Sequence, residues 1–360
     1  MKASVLCGAH YEGPEPHFLR PPVPPSMCDP SVVHQTYEHA LSNAALADEL
    51  GFDWVSVSEH HSSPLIVAPS IAPIAGALTQ ILRHSKLALL GPLLPLNNPI
   101  RVAEEIAMLD QLSHGRVIIL PLRGSPSELS AYGPRDLALT QPITQEATRL
   151  LQKALGHPEP FAWHGEHFQF ERVAVWPRVL QQPFPPMYFS GNSLNSAAFA
   201  AEEKLGLCIS FHRPEVVAHN VKEYCKQAAS AGWRPSADQI VYRNYCVVAD
   251  TDDEARELAN RFVPPPSRYL LEGPGLSTES AISDAEVSER ALRSFPRGQM
   301  LFYGTPDAVT DRIRTFHELT GVGVLDLIVG SGQIPPAAVR RTVELFGREV
   351  LPRIRELAAV

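Results

Sequence analysis

The chain has 360 residues, 44% of them hydrophobic and 19% charged, with a formal net charge of −8. That balance belongs to a soluble globular protein, and with no Lys/Arg run it argues against nucleic acid as the main partner. Five scattered cysteines with no CxxC spacing read as free thiols in a reducing compartment. The first residues enter a strand-like segment without the apolar core of a signal peptide. No later run reaches membrane-spanning length, so the expectation is a cytoplasmic protein with no membrane partner.

Apolar, β-branched runs alternate with segments of helical period, the pattern of βα units and a parallel sheet. Strands are expected near residues 3–8, 52–58, 86–94, 116–122, 187–190, 205–211, 240–249 and 324–330. Helices are expected at about 32–50, 69–83, 99–113, 144–156, 193–204, 214–231, 252–262 and 306–320, with a closing helix at 336–358. The clearest is the one opened by Asn98-Pro99, a capping side chain followed by proline at the first helical position, and stopped at Gly115. The acids of Asp252-Asp253-Glu254 sit where the dipole of the helix they open favours them. Eight such units predict one α/β domain over 1–360, a (β/α)8 TIM barrel. Three segments exceed a minimal barrel: the loop after strand 1 (10–30), the one before strand 5 (157–186) and the one before strand 8 (263–300). The last is the expected lid over the active face.

Polar residues gather just past the strand ends, where barrel enzymes keep their chemistry. Glu59-His60-His61 ends the second strand, and side chains there alternate faces, so Glu59 and His60 cannot share one orientation. A histidine in that place can trade a proton near neutral pH, can be a hydrogen-bonded strand end, or can ligate zinc with its neighbours. No second ligand cluster at a suitable spacing accompanies it, so no metal is expected. His164-Gly165-Glu166-His167 is not a helical metal motif and suits a hairpin or loop. Arg123 ends the fourth strand, where a buried guanidinium needs either a carboxylate or a phosphate. Ser190-Gly191-Asn192-Ser193-Leu194-Asn195-Ser196 opens a helix, which suits plain N-capping or, with Arg123, one phosphate gripped from both sides. Gly321-Val322-Gly323 precedes a strand, which is the wrong context for a dinucleotide fingerprint.

Three stretches carry a resemblance: Gly51-Phe52-Asp53-Trp54 leading to Glu59-His60-His61, Asn98-Pro99-Ile100-Arg101 through Leu109-Asp110-Gln111-Leu112-Ser113 to Gly115-Arg116, and Gly304-Thr305-Pro306. On these, and over nearly its whole length, the sequence resembles the bacterial luciferase-like flavin-dependent monooxygenases. The resemblance implies reduced FMN as cofactor, with O2, a small organic substrate and a separate flavin reductase as partners, and a homodimer through helices near strands two and three. It makes His60 the catalytic, proton-handling residue. Arg123 becomes the holder of the FMN phosphate, with Gly191, Asn192, Ser193, Asn195 and Ser196 as the phosphate loop. A non-proline cis peptide at Leu90-Gly91 is implied beneath the flavin ring, and Glu59 and Phe211 are expected in the substrate pocket. Leu122 stands where luciferases carry a reactive cysteine, which favours a plain oxygenase over light emission. Two alternatives remain open: hydride transfer with the deazaflavin F420, and a flavin-binding partner subunit without catalysis of its own.

Overall fold

The computed structural model describes residues 1–13, 22–125, 128–129, 133–134, 136–262, 301–331 and 333–357. The segment expected to form a lid, 263–300, lies outside them. Eight parallel strands form the barrel: β1 (Lys2–Leu6), β2 (Trp54–Val57), β3 (Lys86–Leu93), β4 (Val117–Leu122), β7 (Tyr188–Ser190), β8 (Gly206–Ser210), β9 (Ile240–Val248) and β11 (Val324–Ile328). They pair in the order β4-β3-β2-β1-β11-β9-β8-β7, and the parallel bridge Ile119↔Met187 joins β4 to β7. A further strand, β10 (Leu301–Gly304), runs parallel to the second half of β9. The insertion before β7 contains an antiparallel hairpin, β5 (Phe161–His164) with β6 (Gln169–Val173), in line with the reading of His164-Gly165-Glu166-His167.

The helices follow their sequence signals. They are α1 (Pro30–Glu49), α2 (Ile71–Ile81), α3 (Pro99–Leu112), α4 (Thr140–Gly156), α5 (Leu194–Glu202), α6 (Pro214–Ser230), α7 (Asp252–Phe262), α8 (Pro306–Thr320) and α9 (Pro336–Leu345). The chain runs on from α9 through a π turn to Arg355. The Asn98 side chain accepts from the Ile100 and Arg101 amides, as a cap must, and Gly115 takes a φ of +75° just past the end of α3.

Alternation along the strands divides the core in two. Trp54, Leu90, Ile118, Tyr188, Val241 and Val324 fill the barrel's interior. Their neighbours Val55, Leu89, Ile119 and Leu325 face the helices. The face at the strands' N-terminal ends is held by buried and half-buried side chains that serve backbone. Asp48 accepts from the amides of Arg83, His84 and Ser85 at 2.8, 2.9 and 2.6 Å. Arg116 donates to the carbonyls of Ser113, Ser85 and Leu82 at 2.8, 2.8 and 2.9 Å. Asp110, wholly buried, accepts from the Leu180 and Gln181 amides at 2.7 and 3.1 Å and from Gln181 Nε2 at 2.7 Å. Asp110 thereby ties the strand-preceding insertion to α3. Replacing Asp110 by Ala takes the acceptor from two half-buried amides and leaves Gln181 Nε2 only its bond to the Val117 carbonyl at 2.8 Å, and urea denaturation is expected to show a loss of about 1–3 kcal/mol. A loss below about 0.5 kcal/mol would contradict this role.

Candidate functional site

Because every barrel pairing is parallel, the residues past the strand ends meet at one rim. Past β2 the chain alternates as expected. Glu59 turns outward into a cavity of about 60 Å³ that it shares with Asn97, Val102, Glu105 and Ile106. Its carboxylate accepts from His61 Nε2 at 2.9 Å, from Asn97 Nδ2 at 3.2 Å and from the Leu93 amide at 3.4 Å. Glu59 therefore clamps the end of β3 and pairs with His61. That hydrogen bond raises the His61 pKa, against the opposing effect of burial. The adjacent histidines thus part company. Among the described residues no three His, Cys, Asp or Glu side chains gather as a metal site.

His60 takes the other direction. Its Nδ1 lies 2.8 Å from Glu128 Oε1, and Glu128 Oε2 accepts from the Ser125 amide at 2.7 Å. Burial alone would raise the Glu128 pKa. The hydrogen bond from His60, its charge, and the bonds at Ser125 outweigh that and hold it at about 2. An ionised carboxylate can only accept, so Nδ1 of His60 carries a proton, and in the neutral ring the lone pair is then on Nε2. That is the arrangement of an oriented general base.

Arg123 follows β4 and is exposed, with no hydrogen-bond or ion-pair partner among the described residues. The guanidinium is therefore not under the desolvation cost that a buried strand end would impose, and the carboxylate alternative finds no described partner. The closing bridge Ile119↔Met187 sets the register of its neighbour. Counted four residues on from that bridge, Arg123 corresponds to Gly191, each just past the end of its strand, and the strands run about 4.8 Å apart where they pair. Gly191 is required there, since a Cβ would lie 2.0 Å from Leu207 Cδ1. Asn192 Oδ1 accepts from the Ser210 amide at 2.8 Å, and Ser193 caps α5 through the Ser196 amide. Ser196 is buried and holds Ser193 Oγ at 2.9 Å and Gln141 Nε2 at 3.2 Å. Three of the loop's polar side chains are thus committed to the loop itself. Asn195, exposed, and the first amides of α5 remain to meet a ligand.

One expectation is corrected. The Leu90–Gly91 peptide is trans; the cis bonds among the described residues are Trp176–Pro177 and Gln182–Pro183. Gly91 takes a φ of +121°, and the β3–β4 register shifts between Leu90 and Leu93. Glycine's freedom at positive φ makes the irregularity without a cis bond. A Cβ at Gly91 would stand 2.9 Å from Leu122 Cδ1 and 3.6 Å from Ser58 Oγ, so glycine also keeps room there. Leu90 is part of the interior wall. Phe211, past β8, adopts φ +58°, strained for a bulky residue, with its ring 5.1 Å from Tyr245.

Deeper in the interior lies a charged group that the sequence reading passed over. Asp326 of β11 accepts from Ser4 Oγ and Ser56 Oγ, both at 2.7 Å, and from Arg243 Nε of β9 at 2.6 Å. The signal was present: one arginine in VYRNYCVV and one aspartate in VLDLI, each inside an apolar strand. Glu128 gave no comparable signal, since no apolar strand surrounds it.

The luciferase-like monooxygenase family matches residues 17–322. The chain belongs to that family. Among curated relatives, 3,6-diketocamphane 1,6-monooxygenase of Pseudomonas putida is 23% identical over 362 residues, covering 89% of this chain and 93% of that protein. The uncharacterized protein y4wF of Sinorhizobium fredii is 34% identical over 174 residues, and the match spans half of its length and 48% of this chain. Among solved structures, the monooxygenase RslO1 of Streptomyces bottropensis superposes with a TM-score of 0.77 at 24% identity, covering 98% of this chain and 99% of that one. The FMN complex of the oxygenating constituent of 3,6-diketocamphane monooxygenase gives 0.73 at 22%, covering 98% of each. An F420-dependent secondary alcohol dehydrogenase gives 0.74 at 20%, covering 99% of each. These structural likenesses confirm the luciferase-like barrel. No helix among the described residues is long and apolar enough to cross a membrane.

The Glu128 carboxyl carries a pH signature. Its pKa in the fold lies below the ordinary 4.5, so its stabilisation is complete above about pH 4.5 and is lost as pH falls toward about 2. Glu128→Gln should lower stability at neutral pH by about 1–3 kcal/mol and remove that part of the acid dependence. Urea denaturation between neutral pH and about pH 3 tests this, and parallel curves for variant and wild type would refute it.

Proposed function

We propose that the protein is a monooxygenase that uses reduced FMN and O2 to oxygenate a small organic substrate, with the reduced flavin supplied by a separate reductase. The observation that carries the proposal is His60, oriented by Glu128, on the same rim as Arg123 and the Gly191–α5 turn, in a member of the luciferase-like family. An FMN-bound relative and a curated relative described as a monooxygenase add support.

The residues fit the cofactor. Arg123, exposed and without a partner among the described residues, and the amides at the start of α5 suit a phosphate, since the guanidinium fork and N-terminal amides both bind its oxygens. Leu90, Gly91 and Leu122 offer an apolar, sterically open wall for a ring. Reduced flavin, when bound, supplies the electrons that activate oxygen. The protein's own part is to exclude water and manage protons. His60 Nε2, which has no partner among the described residues, accepts a proton while Nδ1–H stays on Glu128. The apolar cavity of about 160 Å³ bounded by Tyr11, Val23, Met27, Pro64 and Val67 gives the substrate a place beside the β1 and β2 ends. A homodimer would cover the exposed Met108 and Leu112 of α3 together with Trp176 and Leu180, which Gln111 Nε2 draws near through the Arg178 carbonyl at 2.7 Å.

The His60–Glu128 pair would also serve hydride transfer with F420, which likewise needs a proton acceptor. Purified protein given anaerobically reduced FMN and then air should consume oxygen in proportion to oxidised substrate. Turnover of F420 with an alcohol, independent of oxygen, would select the second reading. His60→Ala should lower kcat at least a hundredfold with little change in flavin affinity. Full activity in that variant would remove His60 from the chemistry and favour a partner subunit without catalysis of its own.

A further inference from the structure

The Arg243–Asp326 pair is an unusual object to keep in the middle of a barrel. Arg243 is 8% exposed and Asp326 wholly buried. Such pairs roughly break even at best, because desolvating both charges offsets their attraction. Here the accounts do not balance on the arginine side. Asp326 uses both oxygens, one for the two serine hydroxyls and one for Arg243 Nε. Arg243 Nη2 is buried and has no hydrogen-bond partner among the described residues. An unpaired buried donor costs about 1–3 kcal/mol, more for a charged one.

Strand alternation gives the position. Val241, two residues before Arg243, faces the interior, and Tyr245, two residues after it, stands against Phe211 at the rim. Arg243 thus forms the floor beneath the rim. On β2, Ser56 bonds Asp326, and Ser58, two residues closer to the rim, also has a buried hydroxyl without a partner. Gly91 leaves space beside that hydroxyl. Two buried donors without a partner among the described residues thus belong to interior-facing positions of β9 and of the end of β2, strands three steps apart around the barrel.

We propose that Arg243 is a ligand-binding residue: its Nη2, held on aim by Asp326, donates to an oxygen of full or partial negative charge on the small molecule held in the barrel mouth. A carbonyl, carboxylate or ring-amide oxygen fits. Two molecules can bring one, the substrate or the flavin ring, and the flavin case rests on the function proposed above. Asp326 is the positioning residue, because its Nε contact fixes the plane of the guanidinium.

The test compares the wild type with Arg243→Met/Asp326→Asn, which leaves no unpaired buried charge and keeps an acceptor for Ser4 and Ser56. Arg243→Lys, which keeps the charge opposite Asp326 and loses the planar fork, is the second variant. Two probes are used: the ratio of affinities for reduced and oxidised FMN, by anaerobic titration, and the protection of flavin-free protein against thermal unfolding by sodium formate. If the flavin ring supplies the oxygen, the wild type prefers reduced FMN and both variants lose at least tenfold of that preference. If the substrate supplies it, formate protects the wild type saturably and protects neither variant. The formate arm needs no flavin, so it stands even if the protein binds none. A wild type with neither response overturns the proposal whether or not the variants fold, as do variants that keep the wild-type responses, since the donor would then be satisfied by solvent alone.

Discussion

The arrangement depends on one constraint, the closure of a parallel barrel at the β4–β7 seam. Ile119 meets Met187 there, and the Ile119 amide donates to the Pro186 carbonyl at 2.9 Å. A slip of one residue at this seam would turn the inward side chains of one strand outward. It would also change which residue, counted on from the bridge, stands opposite Arg123. The fit of Gly191 against Leu207 and the bond from Asn220 Nδ2 to the Gly191 carbonyl at 3.1 Å hold the far side of the same seam. Position at the rim is thus set by backbone register in the core, well away from the residues that would touch a ligand.

Two kinds of polar burial serve different ends. On the N-terminal face, Asp48, Asp110 and Arg116 spend their hydrogen bonds on backbone groups, and this satisfies the loops that enter β3, β4 and β7. Near the opposite rim the buried carboxylates of Glu128 and Asp326 hold side chains, His60 through Nδ1 and Arg243 through Nε, and leave His60 Nε2 and Arg243 Nη2 without a partner among the described residues. Conservation of fold and preparation of a ligand site are therefore divided between the two ends of the barrel, as expected when chemistry is confined to the C-terminal face.

The sequence made much of this legible, for physical reasons that differ by element. The strands could be read because both faces are buried, giving long apolar runs, and α3 because Asn98, Pro99 and Gly115 are local signals. The run from Leu109 to Arg116, one of the most specific parts of the family resemblance, proves to be structural: Asp110 and Arg116 tie loops on the face away from the site. Glu128 escaped notice because its meaning is tertiary, arising only when the segment after β4 meets the end of β2. For the Ser190–Ser196 turn the sequence left N-capping and phosphate binding both open; capping and cross-strand bonds engage Asn192, Ser193 and Ser196, and spacing alone cannot tell which side chains they take. The trans Leu90–Gly91 bond shows the same limit, since a glycine at positive φ offers the strand another way to become irregular.

The account stands on the claim that Arg123 and the start of α5 grip one phosphate. Anaerobic titrations of the wild-type protein with reduced FMN and with reduced riboflavin, which differ only in that group, address it most directly. A phosphate held by a charge-assisted fork and helix amides should make FMN bind at least tenfold more tightly. Equal affinity for the two flavins would contradict the account, whatever the protein oxidises.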